Sequence, residues 1–325
     1  MHPDPVNSGS TDSPTVTLAD VERARDAISP HVRQTPMISA KALKQPLGDY
    51  DLWLKLECLQ VTGSFKARGA VNKLLSLPQD LISRGIVTAS GGNHGLAVAY
   101  AGWIAQVPTT IYLGENTPPA KAEKLRQWGA SVVMEGADWD AANRAATALA
   151  AEKGLAYLHP FADPQIIAGQ GTLGLEMLAA LPQMDTLVVA IGGGGLISGI
   201  SLAAKTLKPS LKIIGVEPVG AATLYESRRQ GRVTELDQIT TAANTLAPRR
   251  SAPINFGLIE QNVDQIVLVS DDDMRTAARW LWFELGVAAE LSGAAAISAL
   301  FTQYQPAAGE QVCALICGSG TDGIA

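Results

Sequence analysis

From Gly85 onward the chain alternates short apolar stretches with longer helix-like ones, and this alternation restricts the possible folds more than any other feature. Ile86-Val87-Thr88-Ala89 leads into Leu96 to Ala105, Thr109 to Leu113 into Pro119 to Trp128, and Ser131 to Met134 into Trp139 to Lys153. Short apolar strands joined by crossover helices form a parallel sheet covered on both faces. A second series starts near Tyr157: a helix from about Ala168 to Leu181, the strand Thr186 to Ile191, a helix after Gly195, the strand Lys212 to Val216, and a helix from about Asp272 to Leu285. The predicted class is α/β, with two lobes that each hold a mostly parallel sheet covered by helices. Ahead of both, Thr17 caps a helix reaching about Ile28, with Asp20 as its first-turn acid. Thr35-Pro36-Met37 interrupts the pattern, and Asp51 to Leu56 then alternates like a strand.

At 325 residues, 47% hydrophobic and 17% charged, the chain has ample material for buried cores. A net charge of -6 without a basic run makes nucleic acid and anionic membranes poor partners and leaves a small molecule as the natural one. Three cysteines, Cys58, Cys313 and Cys317, have no metal-like spacing, so no metal site and a reducing cytoplasm are expected. Residues 1–15, rich in Pro, Ser, Asp and Asn, read as a flexible tail and not a signal peptide.

Four stretches stand out chemically. In Gly63-Ser64-Phe65-Lys66-Ala67-Arg68-Gly69-Ala70, Lys66 lies behind a polar turn and ahead of the helix-like run Ala67 to Leu77. A lysine fixed there, partly out of water, has a neutral amine ready to attack an aldehyde, whereas an ordinary lysine is a solvated surface group. Gly192 to Gly195 sit between a strand and the helix start Leu196 to Ile200. Glycines there let several N–H groups point at one anion, a phosphate cradle; the plain alternative is a tight turn with nothing bound. Ser90-Gly91-Gly92-Asn93-His94 occupies the same kind of junction after Ile86 to Ala89 and suits a carboxylate, or is merely a helix start. Cys317-Gly318-Ser319-Gly320 completes the set near the end of the chain, where Cys317 alone reads as a small buried residue.

In their order and spacing, these stretches resemble the fold-type II pyridoxal-phosphate enzymes, the tryptophan synthase β-like fold, and within them the serine/threonine dehydratases (ammonia-lyases). The resemblance runs from about Val16 to the last residue. It implies a large cofactor lobe of residues 16–82 plus 160–325 and a small lobe of residues 83–159 carrying the substrate-carboxylate loop. It also implies that Lys66 holds pyridoxal 5′-phosphate as a Schiff base and removes the α-proton of the substrate. Phe65 would pack beside the ring, Gly192, Gly193, Gly194, Gly195 and Leu196 would hold the phosphate, and Cys317 would face the pyridine nitrogen. Ser90, Gly91, Gly92, Asn93 and His94 would grip the substrate carboxylate, Asn93 also reaching the cofactor's 3′ oxygen. The activity implied is β-elimination from L-threonine or L-serine to a 2-oxo acid and ammonia, with 3-hydroxyaspartate and 3-phenylserine as rival substrates. β-Replacement or threonine-synthase-like chemistry is the alternative on the same scaffold, and a non-catalytic amino-acid binder the alternative of another class. A homodimer or homotetramer is implied, and no C-terminal regulatory domain is expected beyond the Cys317 loop.

Departures from the family pattern carry information too. Gly91 stands where the related serine racemases place a serine serving the second face of the α-carbon, which favours elimination. Glu217 matches a divalent-ion ligand of some relatives, but their aspartate six residues on is Thr223 here, so Glu217 reads as a helix-cap or ion-pair residue. Gly318-Ser319-Gly320 replaces the usual Gly-Gly-Asn. Arg68 reads as a helix-surface or interlobe ion-pair residue, and Arg249-Arg250 as a solvated pair or a reader of an acidic β-substituent.

Overall fold

A computed structural model describes residues 16–324, so the expected tail lies outside the described residues. Among the described residues ten strands form two sheets: β1 (Met37–Ser39), β2 (Asp51–Leu56), β3 (Ile86–Ala89), β4 (Thr109–Leu113), β5 (Ser131–Met134), β6 (Ala156–Tyr157), β7 (Thr186–Ala190), β8 (Lys212–Pro218), β9 (Gln265–Val269) and β10 (Gln311–Ile316). The larger sheet runs β1-β2-β10-β7-β8-β9 and the smaller β5-β4-β3-β6. Every pairing is parallel except β1 with β2. All residues of β3 and β7 are buried, as strands covered on both faces require.

Local chemistry sets the helix ends. Thr17 and Asp20 form a reciprocal capping box on the Leu18–Ile28 helix, and Ser270 with Asp273 does the same for Asp271–Leu285. Pro119, Pro164 and Pro253 occupy first-turn positions, where their missing N–H costs nothing. Gly154 closes the Trp139–Lys153 helix in the left-handed conformation at φ 61°.

Some boundaries differ from expectation. The helix expected from Ala168 begins at Pro164, because Asp163 accepts from the N–H groups of Gln165 and Ile166. The Lys66 helix stops at Leu75, two residues before Leu77. Ala156-Tyr157 pairs with β3 and so closes the smaller sheet, although its position suggested the start of the second series. Thr35-Pro36-Met37 leads straight into the antiparallel edge strand β1. Among the described residues no helix is long and apolar enough to cross a membrane.

The topology has one direct consequence for chemistry. β2, β10 and β7 are adjacent and parallel, so their carboxyl ends lie side by side, and the turns that follow them carry Lys66, Cys317 and the four glycines. Carboxyl ends of parallel strands are where open α/β sheets bind ligands. The carboxyl end of β3 contributes the Ser90–His94 turn from the other sheet.

Candidate active site

Lys66 is the first residue of the Lys66–Leu75 helix, and its amine donates to the Pro160 carbonyl at 2.7 Å. The amine is 5.1 Å from the centre of the Phe65 ring. Burial pushes its pKa down to about 8, with Cys317 and Glu290 opposing the shift. Its turn is zipped to the Cys317 turn: Phe65 N–H donates to the Cys317 carbonyl and Ser319 N–H to the Gly63 carbonyl. Gly63, at φ 82°, faces the Ser319 side chain so closely that a Cβ would stand 2.4 Å from its Oγ.

Two residues beyond Lys66, the buried Arg68 anchors the helix. Its guanidinium donates to both oxygens of Glu57 and both of Glu176, at 2.6 to 3.0 Å. Lys55 donates to Glu176 as well, and Thr35 to Glu57. The expectation of a helix-surface or interlobe pair is therefore corrected: Arg68 is 1% exposed and ties the lysine helix to the turn after β2 and to the Pro164–Ala180 helix.

The glycine turn is crowded on every side. A Cβ on Gly193 would meet the Phe161 ring at 2.2 Å, one on Gly195 the Phe161 backbone, and one on Gly192 the Thr245 carbonyl at 2.9 Å. Gly194 has φ +93° and faces Leu224, Ile259 and Asn255. Phe161 is thus a second reason for this run beyond the approach of an anion. Ser251 pins the turn by donating to the Gly193 carbonyl at 2.9 Å. Among the described residues, the N–H groups of Gly193, Gly194, Gly195 and Leu196 have no protein acceptor, and they open the 13-residue Gly195–Leu207 helix.

Asn93 and His94 open the Asn93–Ala105 helix, with Gly92 as its cap. Ser90 Oγ accepts from Gly92 N–H at 3.3 Å. Asn93 Nδ2 donates to Glu290 Oε1 at 2.7 Å. His94 Nε2 lies 2.9 Å from the Leu158 carbonyl, and burial pushes the ring's pKa down to about 3, so it is a neutral donor fixed to the scaffold. A Cβ on Gly91 would meet Thr117 Cγ2 at 3.1 Å and Leu113 Cδ2 at 3.3 Å.

Glu290 was not legible as a site residue. It caps the Leu291–Thr302 helix, and one of its oxygens faces Asn93, Ser292 and Thr245. Burial raises its carboxyl above the ordinary range against the pull of these donors. Its sequence signal is faint, a single acid in the apolar run Val287 to Leu291. His159-Pro160-Phe161 was missed as well: His159 Nδ1 accepts from the N–H groups of Phe161 and Ala162, which turns the Pro160 carbonyl to Lys66.

Cys317 is 3% exposed and its thiol donates to the Ser292 carbonyl at 3.4 Å; burial keeps it protonated. Glu217 accepts from the N–H groups of Leu224 and Tyr225 at 2.8 and 2.7 Å, so it holds the start of the Thr223–Gln230 helix. Arg249 pairs with Glu235 at 3.3 Å and donates to the Leu236 carbonyl.

Residues 28–318 match the family described as pyridoxal-phosphate dependent enzyme. The chain is 37% identical over 307 residues to an L-threonine ammonia-lyase of Thermotoga maritima, covering 94% of this chain and 76% of that protein. The solved structure of maize serine racemase superposes with a TM-score of 0.89 at 32% identity, covering 94% of each chain. The processed form of threonine deaminase isoform 2 from Solanum lycopersicum gives 0.88 at 33% identity, over 94% of this chain and 89% of that one. Agreement in sequence and architecture over nearly the whole length shows that the chain belongs to the fold-type II pyridoxal-phosphate-dependent enzymes.

Proposed function

We propose that this enzyme eliminates water from a β-hydroxy amino acid, L-threonine or L-serine, and releases a 2-oxo acid and ammonia. The observation that carries the reading is the buried Lys66 amine, its pKa lowered to about 8 and held 2.7 Å from the Pro160 carbonyl, next to the Phe161 that packs on the glycine turn. Threonine ammonia-lyase relatives across most of the chain support it.

The residues present suit pyridoxal 5′-phosphate. Four backbone donors without acceptors, at the positive end of a helix, match a phosphate; a lysine with a lowered pKa matches an aldehyde; Phe65 and Cys317 supply an apolar wall and a neutral thiol. Lys66, Phe65, Asn93, Gly192 to Gly195, Leu196 and Cys317 would hold it. When bound, the cofactor supplies an electron sink for the electrons left on the α-carbon.

The chain's own groups do the rest. Lys66 Nζ, neutral above about pH 8, takes the α-proton. The free N–H groups at the start of the Asn93–Ala105 helix and the Ser90 hydroxyl orient the substrate carboxylate. Cys317, held as a neutral thiol, offers no charge to a ring nitrogen, so electrons left at the α-carbon would be drawn less into the ring and would favour departure of the β-hydroxyl. Gly91 presents no side chain to return a proton to the other face, which separates this chain from a racemase despite its likeness to one.

The remaining proposals concern organisation. The lobe division at residues 83–159 is supported by the smaller sheet, which spans 86–157. A homo-oligomer is supported by the exposed Trp282 and Phe283 on one helix, and a cytoplasmic setting by three free cysteines.

The test is 2-oxo acid release by the cofactor-loaded enzyme across L-threonine, L-serine, 3-hydroxyaspartate and 3-phenylserine, with D-serine assayed in parallel. Fastest release from threonine or serine supports the reading. Serine inversion that outpaces pyruvate release, or turnover only with an added nucleophile, overturns it.

A further inference from the structure

One exposed residue touches both turns of this site and Glu290 between them. Thr245 lies in the segment after the Thr223–Gln230 helix, and that segment is firmly fixed. Thr240 N–H donates to the Gly220 carbonyl, the Thr241 hydroxyl and Ala242 N–H both donate to Asp271, and Leu246 is buried. The Thr245 carbonyl is in contact with the glycine turn, 2.9 Å from where a Gly192 Cβ would stand. Its hydroxyl donates to Glu290 Oε1 at 3.5 Å, the oxygen that also accepts from Asn93. Its γ-methyl faces the carboxylate turn, 3.7 Å from the position of a Gly92 Cβ and with no nearer atom there.

We propose that Thr245 is a positioning residue whose γ-methyl braces the Ser90–His94 turn at a set spacing from the glycine turn. The inference rests on the assignment of these turns to a substrate carboxylate and a phosphate. The physical argument is geometric. The two anions lie at opposite ends of one reacting complex, so the distance between their cradles must match the length of that complex. The glycine turn is locked by Phe161, Ser251 and Gly194 packing, whereas the carboxylate turn is tied at its end through Asn93 and His94 and has no side chain at Gly91 or Gly92 to fix its middle. A methyl from a rigid segment fills that role. Removing it widens the set of positions the carboxylate turn can take, which weakens substrate binding and leaves the chemical step alone.

The test uses Thr245→Ser, which keeps the hydroxyl and loses the methyl, and Thr245→Val, which does the reverse. Both holoenzymes are titrated with L-alanine, which has no β-leaving group, by its effect on the visible cofactor band. Hydrogen exchange of the segment 90–95 is measured on the cofactor-free proteins. For Thr245→Ser, L-alanine binding weakens about fourfold, the scale of one lost methyl contact. The 90–95 amides exchange faster, and KM for the β-hydroxy substrate rises with kcat within about twofold. For Thr245→Val, affinity and exchange stay as in the wild type. Unchanged L-alanine affinity and exchange in Thr245→Ser, or equal loosening in both variants, overturns the brace. A wild-type enzyme that binds L-alanine yet eliminates no β-hydroxy amino acid overturns the proposed activity instead, and leaves the brace intact.

Discussion

Asn93 and Glu290, 197 residues apart in sequence, meet across the cleft: the Asn93 amide donates to a Glu290 oxygen at 2.7 Å. One side chain comes from the turn after β3, the other from the helix covering the larger sheet. Their contact joins the carboxylate turn to the wall behind Lys66. Because Glu290 also gathers Ser292 and Thr245, its loss strands three donors. Glu290→Ala is predicted to destabilise the fold by about 1–3 kcal/mol and to lower kcat more than Asn93→Ser does. Thermal unfolding and steady-state kinetics measure the two effects separately.

The lysine makes two pH predictions with a fixed sign. Its folded pKa, about 8, lies below the ordinary 10.5, so the cofactor-free fold binds fewer protons than the unfolded chain between these values. Stability of the cofactor-free protein therefore rises with pH across that window, and the destabilisation is fully present below about 8. Lys66→Met removes this slope and raises stability at neutral pH, as denaturant titrations at several pH values will show. The rate of cofactor uptake, followed by the visible band, rises with a midpoint near pH 8. A midpoint near 10 refutes the assignment.

Gly193→Ala tests the packing reading of the glycine run. A methyl there overlaps the Phe161 ring, so the turn or the ring must move. The variant is predicted to lose cofactor affinity by about tenfold or more, measured by equilibrium dialysis. Phe161→Leu combined with Gly193→Ala recovers part of the loss, which a clash with phosphate alone would not allow.

Arg68→Met removes the cation between two carboxylates and leaves Glu57 and Glu176 facing each other with only Lys55 and Thr35 as partners. Breaking a buried pair from one side costs about 3–5 kcal/mol, so a clear fall in unfolding temperature is predicted. Since Arg68 lies two residues from Lys66, cofactor affinity should fall with it. Unchanged stability would show that the network is not formed in solution.

What could be read from the residues was local. The lysine turn, the glycine run and the Ser90 turn announce themselves because each is a short stretch whose residue types make sense only at a strand-to-helix junction. The two parallel sheets were legible from apolar runs such as Thr186 to Ile191. Glu290, Phe161 and Thr245 were not, because each works through a partner far along the chain: Asn93, Gly193 and Gly92 respectively. Arg68 was misjudged for the same reason, since nothing near it in sequence predicts that Glu57 and Glu176 converge there. β1 was obscured by Pro36, which marks its start and was read only as an interruption.

β10, which follows every other strand in the sequence, lies between β2 and β7 and is hydrogen-bonded to both. During synthesis, then, the early part of the larger sheet has no partner to join it to the later part until residues 311–316 leave the ribosome. Until then both flanking strands expose open edges of the kind that recruit other chains. A chain broken before residue 311 would lack the strand that brings its lysine beside its glycines, and would meet chaperones and proteases as an unfinished sheet.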